Sequence, residues 1–276
     1  MDAGLAWAEP AFFQFMRHFQ ETNQVLEVCR AGILHVTDFP QLVRILADLD
    51  GLTKTKREQM ESISAARLPA AQFARRQVSR GFPILHAHAI VSLWGALEVL
   101  VHDLAIAWLV SNPDTLMREP FLRIRIALGE FERLGKRQRM EFAIKEVSRS
   151  LNADLKIGVG RFETILETVG FAGPIAHDLR RTLMEASQVR NVLVHRGGLV
   201  DRRLKESCPW LKIRLGARVR TDRATYARYS RVMFEYAWTL LNRCRVRAKL
   251  PTVAMAEAIA QHATISWIDQ RPARDR

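Results

Sequence analysis

The chain has 276 residues, 48% hydrophobic and 26% charged, which excludes a disordered or fibrous chain and suffices for one large domain or one domain with a helical appendage. Three widely spaced cysteines, Cys29, Cys208 and Cys244, exclude a disulfide framework, show no zinc-ligand spacing and fit a reducing cytoplasm. The formal charge is +13 and unevenly placed: from Arg196 to Lys249 fifteen Lys and Arg stand against four Asp and Glu, a net +11, which points to an acidic polymer as partner.

Met1-Asp2-Ala3-Gly4 lacks the basic start of a secretory signal. Residues 5–48 read as two helices, the first carrying Phe12, Phe13, Phe15, Met16 and Phe19, the second Leu42, Ile45 and Leu46. The phenylalanines are expected in a packed core rather than on a base-stacking platform. Residues 51–66, with Thr53, Lys54, Thr55 and Lys56, read as a connector leading into a polar helix. The organisation expected is an N-terminal helical segment over 1–75, a main helical domain over 76–250 and a C-terminal extension over 251–276.

The helix expected over 84–110 is apolar almost all round, so it should be the central helix of a bundle. It is long enough to suggest a membrane span, but Glu98, His102 and Asp103 within it argue for a buried bundle helix and no membrane. Glu98 interrupts its main stripe of Val91, Trp94, Val101, Ala105 and Trp108. His86 and His88, two residues apart, diverge by about 160° on a helix and make poor metal co-ligands. Asn112-Pro113-Asp114 ends the helix, and further helices follow near 121–134, 139–151 and 162–169. Gly158-Val159-Gly160 reads as an interhelical turn rather than a phosphate loop.

The next helix is expected to start near Pro174 and to stop at Gly197-Gly198. Leu179, Leu183, Ala186 and Leu193 form its apolar stripe, and Arg190 falls in the centre of that stripe. Asn191 and His195 share the opposite face, with Gln188 beside them. Glu98 and Arg190 are thus opposite charges, each on the buried face of its own helix, and a salt bridge satisfies both. Whether that pair is a structural pin or a device orienting the arginine is open from sequence. Arg190 and His195 diverge by roughly 140° on a straight helix. They converge only at a frayed end, through the length of Arg190, or with residues of a second subunit.

Beyond the glycines, Leu211, Ile213 and Leu215 alternate with Lys212 and Arg214, Gly216-Ala217 follows, and then Arg218-Val219-Arg220. This pattern predicts a short β-hairpin whose outer face offers Lys212, Arg214, Arg218 and Arg220 as a phosphate rail, or as a solvated edge. The last long helix is expected over 223–247, burying Tyr226, Tyr229, Met233, Tyr236, Ala237, Leu240 and Cys244.

A guanidinium, an amide and an imidazole at one helix end suit a phosphodiester. RNA carries its own nucleophile in the 2′-OH, so cleavage needs a group that moves protons near neutral pH and a cation for the phosphorane. His195 suits the first role, Arg190 the second, and Asn191 could hold either in register. No HExxH or clustered carboxylate motif appears, so neither metal nor cofactor is expected.

The run Arg190-Asn191-Val192-Leu193-Val194-His195, closing a helix in a helical chain, resembles the RNxxxH signature of HEPN domains. The resemblance covers roughly residues 76–250. It implies an all-α helical bundle, here with a small β-hairpin after the motif helix, and a homodimer in which Arg190 and His195 of two subunits build one cleft that Asn191 helps to orient. It also implies a metal-independent endoribonuclease with a toxin, antiphage or stress role, and an antitoxin or regulatory protein as partner. The expected reading is therefore a cytoplasmic ribonuclease with Arg190, Asn191 and His195 catalytic and Glu98 in support. RNA would lie along Arg196, Arg202, Arg203, Lys212, Arg214, Arg218 and Arg220. The alternative is a non-catalytic HEPN-like module that binds RNA or nucleotide, or serves as a dimerisation platform.

Overall fold

Apolar periodicity near 3.6 sets almost every element of this chain. The computed structural model describes residues 3–48, 52–125, 128–152 and 157–255. Its α-helices are α1 (Glu9–Ala47), α2 (Lys54–Ser79), α3 (Pro83–Ser111), α4 (Leu128–Glu132), α5 (Lys136–Ser150), α6 (Val159–Thr168), α7 (His177–His195), α8 (Arg202–Ser207) and α9 (Arg223–Arg247). The expected C-terminal extension beyond Met255 lies outside the described residues.

No β-strand occurs among the described residues, and the hairpin expected over 211–220 is absent. Lys212 turns left-handed at φ 50° directly after the 3-10 turn Pro209–Leu211, and Gly216 bends the chain again at φ 75°. Neither arm is long enough to pair with the other. The segment instead leans on the exit from α7, with Val200 N donating to Ala217 O (2.8 Å), Gly216 N to Val200 O (2.9 Å) and Val219 N to Gly198 O (2.9 Å). A single antiparallel bridge, Leu199 to Arg218, results. Leu215, an apolar member of that alternation, is 62% exposed.

Helix boundaries also differ from expectation. The two helices expected over 5–48 are one: Pro40 forfeits a helical hydrogen bond, but it is buried with Val43 and Ala47, and its carbonyl accepts from Ser64 Oγ of α2 (3.0 Å). The expected connector is mostly α2, which starts at Lys54 with Thr53 Oγ1 accepting from Lys56 N (3.4 Å). Residues 121–134 hold a 3-10 turn, Phe121–Arg123, and then the short α4 rather than one helix.

The chain divides into two compact units, Met1–Gln20 with Ile90–Val219 and Ala227–Arg276, and Glu21–Ala89 with Arg220–Tyr226. α3 is the spine of the first unit: Ile90, Leu93, Leu97, Leu100, Leu104 and Leu109 are at most 1% exposed. Each buried side chain of this size contributes about 1.5–3 kcal/mol. By length and composition α3 could cross a bilayer, yet 44% of its most apolar window is buried within the protein. Glu163 of α6 accepts from Tyr236 Oη (2.6 Å), Arg243 Nη1 (2.8 Å) and Gly173 N (2.9 Å). Arg243 donates onward to the carbonyls of Phe171 (3.1 Å) and Pro174 (3.2 Å), which ties α6 and α9 to the extended lead-in of α7. Pro174 therefore precedes α7 by three residues instead of opening it.

In the second unit His86 is fully buried, its Nδ1 within 2.9 Å of the Gly81 carbonyl and its ring stacked on Tyr226 (5.3 Å), whose hydroxyl donates to Asn23 Oδ1 (2.6 Å). Burial holds the His86 pKa below its ordinary 6.5; the Gly81 carbonyl and Asp222 oppose this, and Arg30 and Arg223 add to it. The folded state therefore keeps the ring neutral where the unfolded chain takes up a proton. The stability this gives is complete above pH 6.5 and is lost as pH falls below it, by at most about 1.4 kcal/mol per pH unit. Acidification from about pH 7.5 to about 5.5 is expected to lower the Tm, and His86→Gln to flatten that dependence. A slope unchanged in the variant would assign the acid sensitivity elsewhere.

Candidate functional site

α7 ends where its glycines require. Arg196 N and Gly198 N both donate back to the Val192 carbonyl (2.9 Å each), and Gly197 and Gly198 take φ of 60° and 80°. A side chain at Gly198 would combine that left-handed backbone with a 3.4 Å approach to Leu193 Cδ2. The last two turns of α7 are thereby held, and with them Arg190, Asn191 and His195.

Arg190 points toward α3. Its Nη2 donates to Glu98 Oε2 (3.3 Å) and its Nη1 to Asn191 Oδ1 (3.3 Å), while its Nε is buried without a partner. The other carboxylate oxygen, Glu98 Oε1, accepts from Trp94 Nε1 (3.1 Å) and Arg161 Nη1 (3.5 Å). The Trp94 ring stacks on Phe162 (5.3 Å), and Phe162 stacks on Tyr236 (5.9 Å). An aromatic column from α3 through α6 to α9 thus positions the carboxylate, and Glu98 holds two guanidiniums from different helices. The cluster carries a net +1, with Glu98 and Arg190 each 24% exposed and Arg161 38% exposed.

His195 lies exposed at the end of α7, and no hydrogen bond or ion pair among the described residues joins it to Arg190. Gln188, expected on the same polar face, is buried and donates to Ser187 Oγ (3.5 Å). Of the expected RNA contacts, Arg196, Arg202, Arg203, Lys212, Arg214 and Arg218 are exposed side chains of the unit that carries α7. Arg218 donates to the Gly197 carbonyl (3.3 Å), and Arg202 pairs with Glu206 (3.4 Å). Arg220 belongs to the other unit, where it pairs with Asp222.

Two groups at the site escaped sequence reasoning. Arg161 has no motif around it, and its meeting with Glu98 spans 63 residues of chain. Trp94 was legible as an apolar stripe residue, but not as a donor to the carboxylate one turn on. A second polar cluster in the same unit centres on Glu185 of α7, 3% exposed, which accepts from Trp210 Nε1 and pairs with Arg228 of α9. Burial, with Glu185 adding to it, pushes the Cys208 thiol up to about 12, and burial alone does the same for Cys244. Both thiols therefore stay protonated at neutral pH. No group of three or more His, Cys, Asp or Glu among the described residues is placed to hold a metal ion.

No family model, curated protein or solved structure matches this chain.

Proposed function

We propose that the protein is a metal-independent endoribonuclease of the HEPN kind, with Arg190 and His195 at its centre and RNA as substrate. One arrangement carries this reading: the Glu98 carboxylate holds Arg190 and Arg161 at one place while leaving an excess positive charge, at the helix that ends in an exposed imidazole and a basic loop. Anchored guanidiniums cost little reorganisation when charge develops on a phosphorane. His195 exchanges the 2′-OH and leaving-group protons, and Asn191 fixes the Arg190 plane. Because Arg190 turns toward α3, His195 of one copy acts on the phosphate held at Arg190 of a second, which makes the active assembly a two-fold homodimer.

Purified protein is expected to cut RNA in EDTA, to leave 2′,3′-cyclic phosphate ends and to spare DNA of the same sequence. Chelator-sensitive cleavage, or equal cutting of DNA, overturns the mechanism. Neutralising Arg196, Lys212, Arg214 and Arg218 together is expected to weaken RNA binding and to flatten its dependence on log salt by roughly 3, for about 0.7 per phosphate contact on a single strand.

A second reading rests on a specific observation. Both Nη atoms of Arg190 already have partners, and His195 is exposed at the surface with no hydrogen bond to Arg190 among the described residues, which suits a module that binds RNA without cutting it. An inactive parent that still binds RNA in a salt-dependent way would establish that module.

A further inference from the structure

Within the Glu21–Ala89 unit, α1 carries two apolar seams. Leu26, Pro40, Val43 and Ala47 are buried, and α2 meets α1 at Pro40 and Thr37: Ser64 Oγ donates to the Pro40 carbonyl (3.0 Å) and Arg75 Nη2 to the Thr37 carbonyl (3.1 Å). The second seam lies one residue round from the first, about 100° away on the helix. It runs Val25, Val28, Gly32, His35, Phe39, Leu42, at intervals of three and four residues, and continues to Leu46. All of it is exposed. Its apolar members, with Val36 and Ile45 at the flanks, are 40–73% exposed, and a Cβ built on Gly32 meets nothing within 4 Å.

We propose that this seam docks a second copy of the same chain, α1 against α1 in antiparallel orientation. Three observations carry the proposal. Val25, Phe39 and Leu46 at one position and Val28 and Leu42 at the other keep a seven-residue spacing, interrupted at Gly32 and His35, and that is the spacing of a helix that packs against another helix. The exposed apolar area on this face amounts to about four whole side chains, mostly aliphatic, on the order of 500 Å², so two copies together reach the roughly 1,000 Å² at the lower end of specific interfaces. Charge permits self-pairing as well. Of the flanking positions Gln24, Cys29, Ala31, Val36, Asp38, Val43 and Ile45, only Asp38 is charged, so two copies set no row of like charges against each other.

Orientation follows from size. A parallel pair would set Gly32 against Gly32 and His35 against His35, leaving a void beside a crowded layer. The antiparallel pair sets Gly32 against His35 of the second copy, Val28 against its Phe39 and Val25 against its Leu42, so a smaller residue faces a larger one in each of these three pairings, with Leu46 beyond them.

The interface lies wholly inside the Glu21–Ala89 unit and does not rest on the nuclease reading. A seam-dependent assembly without cleavage would remove only the nuclease, and a cleaving assembly whose mass the seam glutamates leave unchanged would remove only the seam. Light scattering of the full chain at micromolar concentration is expected to give an even multiple of 31.6 kDa. Val28→Glu/Leu42→Glu is expected to halve that mass with helical circular dichroism unchanged. In a Cys29→Ser background, Val25→Cys/Leu42→Cys is expected to yield a disulfide-linked dimer under a mild oxidant. Val25→Cys alone is not, because its two copies lie about 25 Å apart at 1.5 Å per residue. A monomeric parent, a mass the glutamates leave unchanged, or efficient cross-linking of Val25→Cys alone overturns the proposal. If the glutamate variant fails to fold, the cross-linking pair decides.

Discussion

Arg190→Ala and His195→Ala are each expected to lower RNA cleavage by at least ~10²-fold, the usual scale for a transition-state cation or a general acid–base group. Affinity for RNA should change only a few-fold, because binding rests on the exposed side chains from Arg196 to Arg218. The two variants should differ in one respect. Removing Arg190 leaves Glu98 still paired with Arg161 and Trp94, so the fold loses one of three contacts at that carboxylate. Removing the exposed His195 should leave stability untouched. Arg190→Lys should not restore activity, since an ammonium cannot serve Glu98, Asn191 and a phosphate together as a planar guanidinium does. Single-turnover cleavage, with binding measured separately, checks the split. A His195→Ala protein with parental kcat would remove His195 from the chemistry.

Glu98→Gln is expected to lower stability by about 2–4 kcal/mol, read by urea denaturation. The carboxylate is three-quarters buried and opposes two guanidiniums, and the amide leaves those cations facing each other without a counter-charge. A fully buried pair would cost about 3–5 kcal/mol; partial solvent access at this site reduces that figure. In a double-mutant cycle, Glu98→Gln/Arg190→Met should cost less than the two single variants added together, because the second change removes a charge the first had stranded. A loss below about 0.5 kcal/mol would show that Arg190 does not depend on Glu98. Cleavage by the folded variant separates the two roles left open by the sequence. Parental kcat makes Glu98 a structural pin, and a lowered kcat with unchanged KM makes it the residue that positions Arg190.

Features with a local cause were legible in the sequence. The last helix is expected over 223–247 and occupies Arg223–Arg247; the apolar helix expected over 84–110 occupies Pro83–Ser111. α7 stops after His195 because Gly197 and Gly198 alone tolerate the left-handed turn that follows. Helical period and glycine placement act over a few residues, so no tertiary information is needed to read them. The meeting of Glu98 with Arg190 was also accessible, since each is a charge on an apolar stripe and a buried charge requires a counter-charge.

What only the tertiary structure decided has non-local causes. The alternation after α7 resembles a hairpin, but a strand needs a partner of matching length. Here the partner is the short exit of α7 at Gly198–Val200 rather than the other arm, so one bridge forms and no ladder. Pro40 marks a helix end by local rules, and burial against α2 carries α1 past it. Arg161 enters the site from 63 residues away. Gln188 and Glu185, polar by sequence, are buried because Ser187, Trp210 and Arg228 satisfy them. Local periodicity determined where the helices of this protein run. Which polar groups they bury, and therefore which cations gather around Glu98, followed from packing between segments far apart in the chain.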